Sequence, residues 1–143
     1  MIATGSDPVI PPVPGLTGLT GVWTNREVTG LRELPRRLLV LGGGPVGVEM
    51  AQALARMDVS VALVEGAEHV LPREPRALGE ALGEALAADG VELRLGQHAS
   101  AARRDGEDYV LAFGDGSQLR GDRLLVATGR RARLSCTRGR RPT

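Results

Sequence analysis

The 143-residue sequence contains no lysine; all 18 of its basic residues are arginine. That absence removes Schiff-base catalysis and the phosphate-loop lysine together. Aromatic residues are almost as scarce at 2%, namely Trp23, Tyr109 and Phe113. Three rings are too few for the stacked-base platforms of single-strand nucleic-acid binders. The lone cysteine, Cys136, excludes an internal disulfide, a CxxC redox motif and a metal site built on paired cysteines. No apolar run approaches the roughly 18 residues that a membrane span requires, and the opening residues lack the basic and apolar regions of a secretory signal. A cytoplasmic location is the resulting expectation.

What is present is the composition of an ordinary globular chain, with 42% hydrophobic against 24% charged residues. A single domain of this size buries roughly 68–70% of its unfolded surface. The net charge of +1 hides an asymmetry: residues 130–143 hold six arginines and no acid, leaving twelve arginines against 17 acids before them. This basic tail has little apolar content and is expected to be solvated rather than to bind nucleic acid.

The stretch from Asp7 to Gly21 carries four prolines and three glycines and reads as an extended surface linker. Thr24 and Glu27 fit a capping box, and Val28, Leu31 and Leu34 recur every third residue before Pro35, giving a short helix. Leu38–Leu41 is a continuous apolar run, as in a strand buried on both faces. From Val46 to Met57 the polar residues Glu49, Gln52 and Arg56 share one helical face. Ser60–Glu65 is the second strand, and Pro72 and Pro75 open a helix in which Leu78, Leu82 and Leu86 fall four apart. Asp89-Gly90 closes it, and Val91–Leu95 is a third strand. The β-α-β-α-β order implies a parallel sheet with right-handed crossovers. Turn signals at Asp105-Gly106 and Gly114–Gly116 then mark an antiparallel meander from about Ala99 to Arg120, and Leu124–Ala127 returns to the sheet. The expected fold is α/β, a Rossmann-like doubly wound parallel sheet with an antiparallel β-meander excursion.

Between the first strand and its helix lies Gly42-Gly43-Gly44-Pro45-Val46-Gly47, a GxGxxG at Gly42, Gly44 and Gly47. The first glycine permits a tight turn, the second lets backbone N–H groups approach a pyrophosphate, and the third lets helix and strand pack closely. The helix amino end adds partial positive charge, a term of about 0.3–1 kcal/mol for an anion. Glu65 follows 23 positions after Gly42, at the end of the next strand, where a carboxylate accepts ribose hydroxyls. The same carboxylate repels a 2′-phosphate, and Gly66 and Ala67 supply no arginine to receive one, so NAD(H) is expected over NADP(H).

With VLGGGPVGVEMAQALARM, LVE and VATGRR, and with Ala-Thr-Gly at both residues 3–5 and 127–129, the chain resembles the NAD(P)H-binding domain of pyridine nucleotide-disulfide oxidoreductases, in the dihydrolipoamide dehydrogenase and mercuric reductase branch. In that family the nicotinamide domain is inserted in a flavin domain, and ATG segments mark the crossings. The resemblance covers Ile2 to about Arg131. It implies a linker from the flavin-domain edge at residues 1–23, the NAD(P)H-binding domain at 24–131 and a basic tail at 132–143. It implies pyrophosphate at Gly42, Gly44, Pro45, Val46 and Gly47, ribose at Glu65, Glu49 near the nicotinamide carboxamide and flavin edge, and Gly129 at the second crossing. The residue-based alternative for Glu49 is a charge on the polar helix face.

The family's own flavin-binding glycine motif, redox cysteine pair, later flavin-binding segment and carboxyl-terminal dimer domain have no counterpart here. FAD belongs to the intact family enzyme and is not expected to bind this chain alone, and no residue is assigned a catalytic role. Asp58 stands where relatives usually end the first helix with glycine. Past Arg131 the sequence LSCTRGRRPT matches no family segment, which gives the expectation of a truncated or frame-shifted reading frame.

The implied function is delivery of hydride from NADH to FAD. The alternatives are a subunit of a split flavoprotein completed by a flavin-binding chain, or a dinucleotide-binding sensor without catalysis. His69 and His98 are isolated and read as surface or core residues, with no metal-ligand set in the chain. Cys136 reads as an incidental thiol, and Arg73 and Arg76 read either as phosphate contacts or as a solvated helix end.

Overall fold

A computed structural model describes residues 4–133. They run in the order β1 (Ser6–Pro8), one 3-10 turn (Leu16–Gly18), α1 (Asn25–Thr29), β2 (Arg37–Leu41), α2 (Pro45–Ala55), β3 (Ser60–Glu65), α3 (Arg76–Ala88), β4 (Glu92–Leu95), β5 (Ala99–Asp105), β6 (Asp108–Phe113), β7 (Gln118–Gly121), β8 (Arg123–Val126) and β9 (Arg130–Ala132). The apolar runs at residues 38–41, 61–64 and 124–126 form buried strands, as their lack of alternation predicts.

Four strands make a parallel sheet in the order β4-β3-β2-β8, with Leu39 paired to Ala62 on one side and to Leu124 on the other. The order decides the layering. The chain steps from β2 to β3 to β4 in one direction, so right-handed crossovers place α2 and α3 on the same face. The return from β4 to β8 runs the opposite way and carries its connection, the antiparallel sheet β5-β6-β7, to the other face. The meander thus occupies the layer that a second set of helices fills in other doubly wound folds. Alternate residues of each strand serve the two layers. Leu38, Val40, Val61 and Leu63 pack with Val48, Ala51, Leu54 and Leu86 of the helices. Leu39, Leu41, Ala62 and Val64 pack with Tyr109, Leu111, Phe113 and Leu119 of the meander.

The helix ends follow local chemistry. The Thr24 amide and hydroxyl both donate to Glu27 Oε2, at 2.6 and 2.7 Å, and complete the capping box of α1. That helix stops at Thr29, short of the expected Pro35. At the end of α2, Val59 N donates to Leu54 O and Asp58 N to Ala55 O, the paired bonds of a Schellman turn. Asp58 occupies the left-handed position at φ 63°, where α3 uses Gly90 at φ 89°. The departure from glycine noted in the sequence therefore falls on a left-handed residue.

Of the leucines four apart in α3, Leu86 is buried and Leu82 packs against the core, whereas Leu78 is 52% exposed. A side chain at Gly79 would overlap His69 and the Val70 carbonyl, so the helix seats itself there by a glycine. One expectation needs correction. The segment expected to be a surface linker is partly packed. Leu16 is buried against the meander, Ala102 N donates to Pro14 O, and Tyr109 Oη donates to Thr20 O at 2.7 Å. Strands too short for any pattern complete the fold: β1 pairs antiparallel with β9, Asp7 opposite Arg131, which draws Ala132 out of the expected tail and into a strand. Arg133 N donates to Gly5 O at 3.0 Å, and the Arg133 side chain meets Asp7. Cys136 and the rest of the expected tail lie outside the described residues. Among the described residues, no helix is long and apolar enough to cross a membrane.

Candidate functional site

The carboxyl ends of β2 and β8 lie side by side where the order of connections reverses: β2 leads outward to β3, whereas β8 is reached by the crossover that returns from β4. This is the switch point at which ligands bind open α/β sheets. The glycine loop follows β2 and the Ala127–Gly129 turn follows β8. Ala127 N donates to Leu41 O at 2.8 Å and Gly42 N to Val64 O at 2.9 Å, which holds the two turns against the sheet.

Each glycine of the loop has a different physical requirement. Gly42 adopts φ 113°, and a Cβ there would press on the Ala127 carbonyl. A Cβ at Gly47 would overlap the carbonyl oxygen of Gly42, so only glycine lets α2 start this close to the strand it leaves. Gly44 differs: the nearest atom to its missing Cβ is Ala127 O at 4.0 Å, and the space is open. Pro45 sits at the first helical position, where its missing N–H is no loss. The first-turn amides of Val46 and Gly47 lack helical partners by geometry, and with the helix dipole they make the loop electropositive.

Glu65 ends β3 beside this loop. Its Oε2 accepts from Gly43 N at 2.7 Å and its Oε1 from Ala67 N at 2.9 Å. Each oxygen keeps a further lone pair for an outside donor such as a hydroxyl. The Gly43 peptide is gripped from its other end as well, because Leu71 N donates to Gly43 O at 2.7 Å. Leu71 reaches that bond with φ 51°, a conformation disfavoured for leucine. Nothing in the sequence marks Leu71 for this role.

Other sequence candidates separate. Glu49 is exposed on α2 and lines an apolar cleft of about 330 Å³ with Pro45, Val48, Leu71 and Leu78. Gly129, at φ 135°, is drawn toward the amino-terminal segment, its carbonyl accepting from Val9 N at 2.9 Å. Arg76 is engaged by Glu68 at 2.8 Å and Glu80 at 2.6 Å, and hydrogen bonds from these acids hold its pKa above the ordinary value. Those partners favour the helix-end reading of Arg76 over the phosphate one. A further hollow, lined by Arg36, Arg120 and Asp122, lies at the amino ends of the strands, away from the glycine loop.

A parallel sheet with a pinned glycine turn at its switch point and a meander on its second face is a defined α/β architecture. The chain belongs to the pyridine nucleotide-disulphide oxidoreductase family, whose profile matches residues 1–140 and so runs past Arg131 into the segment expected to match no part of the family. It is 44% identical over 131 residues to a mercuric reductase of Acidithiobacillus ferrooxidans, covering 91% of this chain and 23% of that protein. It is 37% identical over 129 residues to the probable pyridine nucleotide-disulfide oxidoreductase RclA of Escherichia coli, covering 90% of this chain and 29% of that protein. The solved structure of RclA, described as an HOCl-induced flavoprotein disulfide reductase, superposes with a TM-score of 0.83 at 34% identity, over 92% of this chain and 30% of that one. The chain thus spans between about a fifth and a third of the length of these relatives.

Proposed function

We propose that this chain is the NAD(H)-binding domain of a flavin-dependent oxidoreductase and presents reduced nicotinamide to FAD held elsewhere. The observation that carries the reading is the junction of Glu65 with the glycine loop. The acid at the end of β3 accepts from Gly43 of the loop that leads into the helix after β2, which sets a ribose acceptor beside an electropositive helix start. The residues fit that group: the open space at Gly44 admits a phosphate to the backbone, and at Gly42 and Gly47 the absence of a side chain serves packing, which leaves the Gly47 amide at the helix start for the phosphate.

In this reading Gly44, Pro45, Val46 and Gly47 bind the pyrophosphate, and Glu65 accepts the ribose hydroxyls. Gly66 and Ala67 add no positive charge beside that carboxylate, which favours NADH over NADPH. Beyond the helix start, the open cleft bearing Glu49 offers the apolar side chains of Val48, Leu71 and Leu78 to the nicotinamide side. Reduced nicotinamide supplies a hydride and flavin accepts it when both are bound. The β1–β9 ribbon supports insertion into a flavin domain, since it brings the two chain crossings together as adjacent antiparallel strands.

Calorimetric titration of the full chain with NADH, NADPH and FAD tests the proposal. The expected result is NADH binding, weaker NADPH binding and no FAD binding, with Glu65→Ala weakening NADH about tenfold or more. A folded chain that binds no nicotinamide dinucleotide, or binds NADH equally well without Glu65, overturns it.

A further inference from the structure

The loops that follow β3 and β4 are laced together beside Glu65. Gly96 N donates to Ala67 O at 2.8 Å and Gln97 N to Glu65 O at 3.2 Å. This lacing delivers His98 onto Gly66: a side chain at Gly66 would overlap the imidazole at Cε1 and at both ring nitrogens. Glycine at position 66 is therefore what allows the ring to lie across the backbone between Glu65 and Ala67. Gly66 has no positive φ to explain it, so the close approach of His98 is its structural reason. The ring remains exposed to solvent. The three larger aromatics are elsewhere: Tyr109 and Phe113 are buried under the meander, and Trp23 bridges to Leu125 of β8. Among the described residues His69 is the other imidazole, and its Nδ1 is held 2.8 Å from the Val70 carbonyl. His98 is thus the exposed π-surface adjoining the ribose-binding acid.

We infer that His98 forms one wall of the adenosine pocket and stacks on the purine of the dinucleotide, with Gly66 serving as its seat. The inference rests on the dinucleotide reading above and extends it to base recognition. Glu65 fixes the ribose, and a purine attached to that ribose emerges over the Gly66–Ala67 backbone, where the imidazole waits. Stacking of a base on an aromatic side chain changes affinity by about 5- to 150-fold on removal, and an imidazole, the smallest such ring, belongs at the low end.

The test is calorimetry on the full chain with two probes, NADH and ADP-ribose, the second lacking nicotinamide. His98→Ala is expected to weaken both by the same factor, roughly 5- to 20-fold, and His98→Phe to restore most of the loss. Gly66→Ala should also weaken both probes by displacing the ring. Because the two sites share one contact, the double substitution should be no weaker than the worse single one. Circular dichroism confirms that each variant is folded, and the exposed position of His98 makes its substitutions safe for the core. Affinities within twofold of the parent for His98→Ala, with Glu65→Ala still weakening both probes, would overturn the inference and leave the dinucleotide reading intact. Absence of binding by the unsubstituted folded chain would overturn both.

Discussion

Glu65 Oε2 stands 2.7 Å from the amide nitrogen of Gly43, so the acid at the end of the second parallel strand is part of the glycine loop itself. The same carboxylate reaches Ala67 N through its other oxygen, and one side chain therefore shapes two loops. Its replacement acts on the fold as well as on a ligand. Glu65→Ala leaves two backbone donors without their acceptor, and the expected loss of stability is about 1–3 kcal/mol in urea denaturation. Adding saturating NADH should raise the urea midpoint of the parent more than that of the variant. Equal ligand-induced shifts would show that the acid serves the loop alone.

The glycines of the loop divide by the same logic. Gly47→Ala drives a methyl group into the Gly42 carbonyl and is expected to destabilise the chain by about 1–3 kcal/mol, the usual range for overpacking. Gly44→Ala meets no atom closer than 4.0 Å and should melt close to the parent, yet weaken NADH because its methyl stands in the open approach to the backbone. Thermal melts of the two variants, each with and without NADH, distinguish a packing glycine from a binding one.

The extent to which these features are legible in the sequence follows from their range. The buried strands and the helix α2 declare themselves through long apolar runs, and the glycine loop is readable because it falls between them. The outward turn of Leu78 in α3 is not readable from leucine spacing, since it accompanies the close approach of His69 and the Val70 carbonyl to Gly79. The strands β1 and β9 are three residues each, carry proline or arginine, and exist only because segments more than 120 positions apart meet. Leu71 and His98 are invisible for the same reason. Each acts through a backbone or ring contact with a glycine in another loop, and no periodicity encodes that. A hint existed at Gly66, a glycine next to the key acid with no turn to justify it.

Asp58 offers a substitution that should stabilise the chain. It holds the left-handed position of the Schellman turn after α2 at φ 63°, with Leu54 and Val59 buried on either side of the turn. Left-handed backbone costs an L-residue about 1–2 kcal/mol, somewhat less for aspartate. Asp58→Gly removes that strain while adding freedom to the unfolded chain, and a net gain of roughly 0.5 kcal/mol is expected as a higher melting temperature. Asp58→Val, β-branched at the same φ, should lower it by more. A glycine variant less stable than the parent would mean that the Asp58 side chain contributes to the turn beyond its backbone.

At the opposite end of the strands, Asp122 ties the start of β2 to the strand before its own return. Its carboxylate accepts from Arg37 N at 2.7 Å and from Arg36 N at 3.1 Å. Burial raises its pKa, but these amides, with the Arg36 charge, outweigh burial and hold the carboxyl below its ordinary value. A pKa lower in the folded than in the unfolded chain stabilises the fold above the unfolded value, and that stability disappears as pH falls through the folded one. The loss should begin near about pH 4 and deepen below it. Asp122→Asn keeps one acceptor and removes the titration, so its urea midpoint should lie below the parent's at pH 7 and draw closer to it at about pH 3. Other acids titrate in the same window, among them Asp89, held low by Gln52 and Arg56. The diagnostic quantity is consequently the difference between parent and variant at each pH. A difference that stays constant from neutral to acid pH would assign the role of Asp122 to its shape and not to its charge.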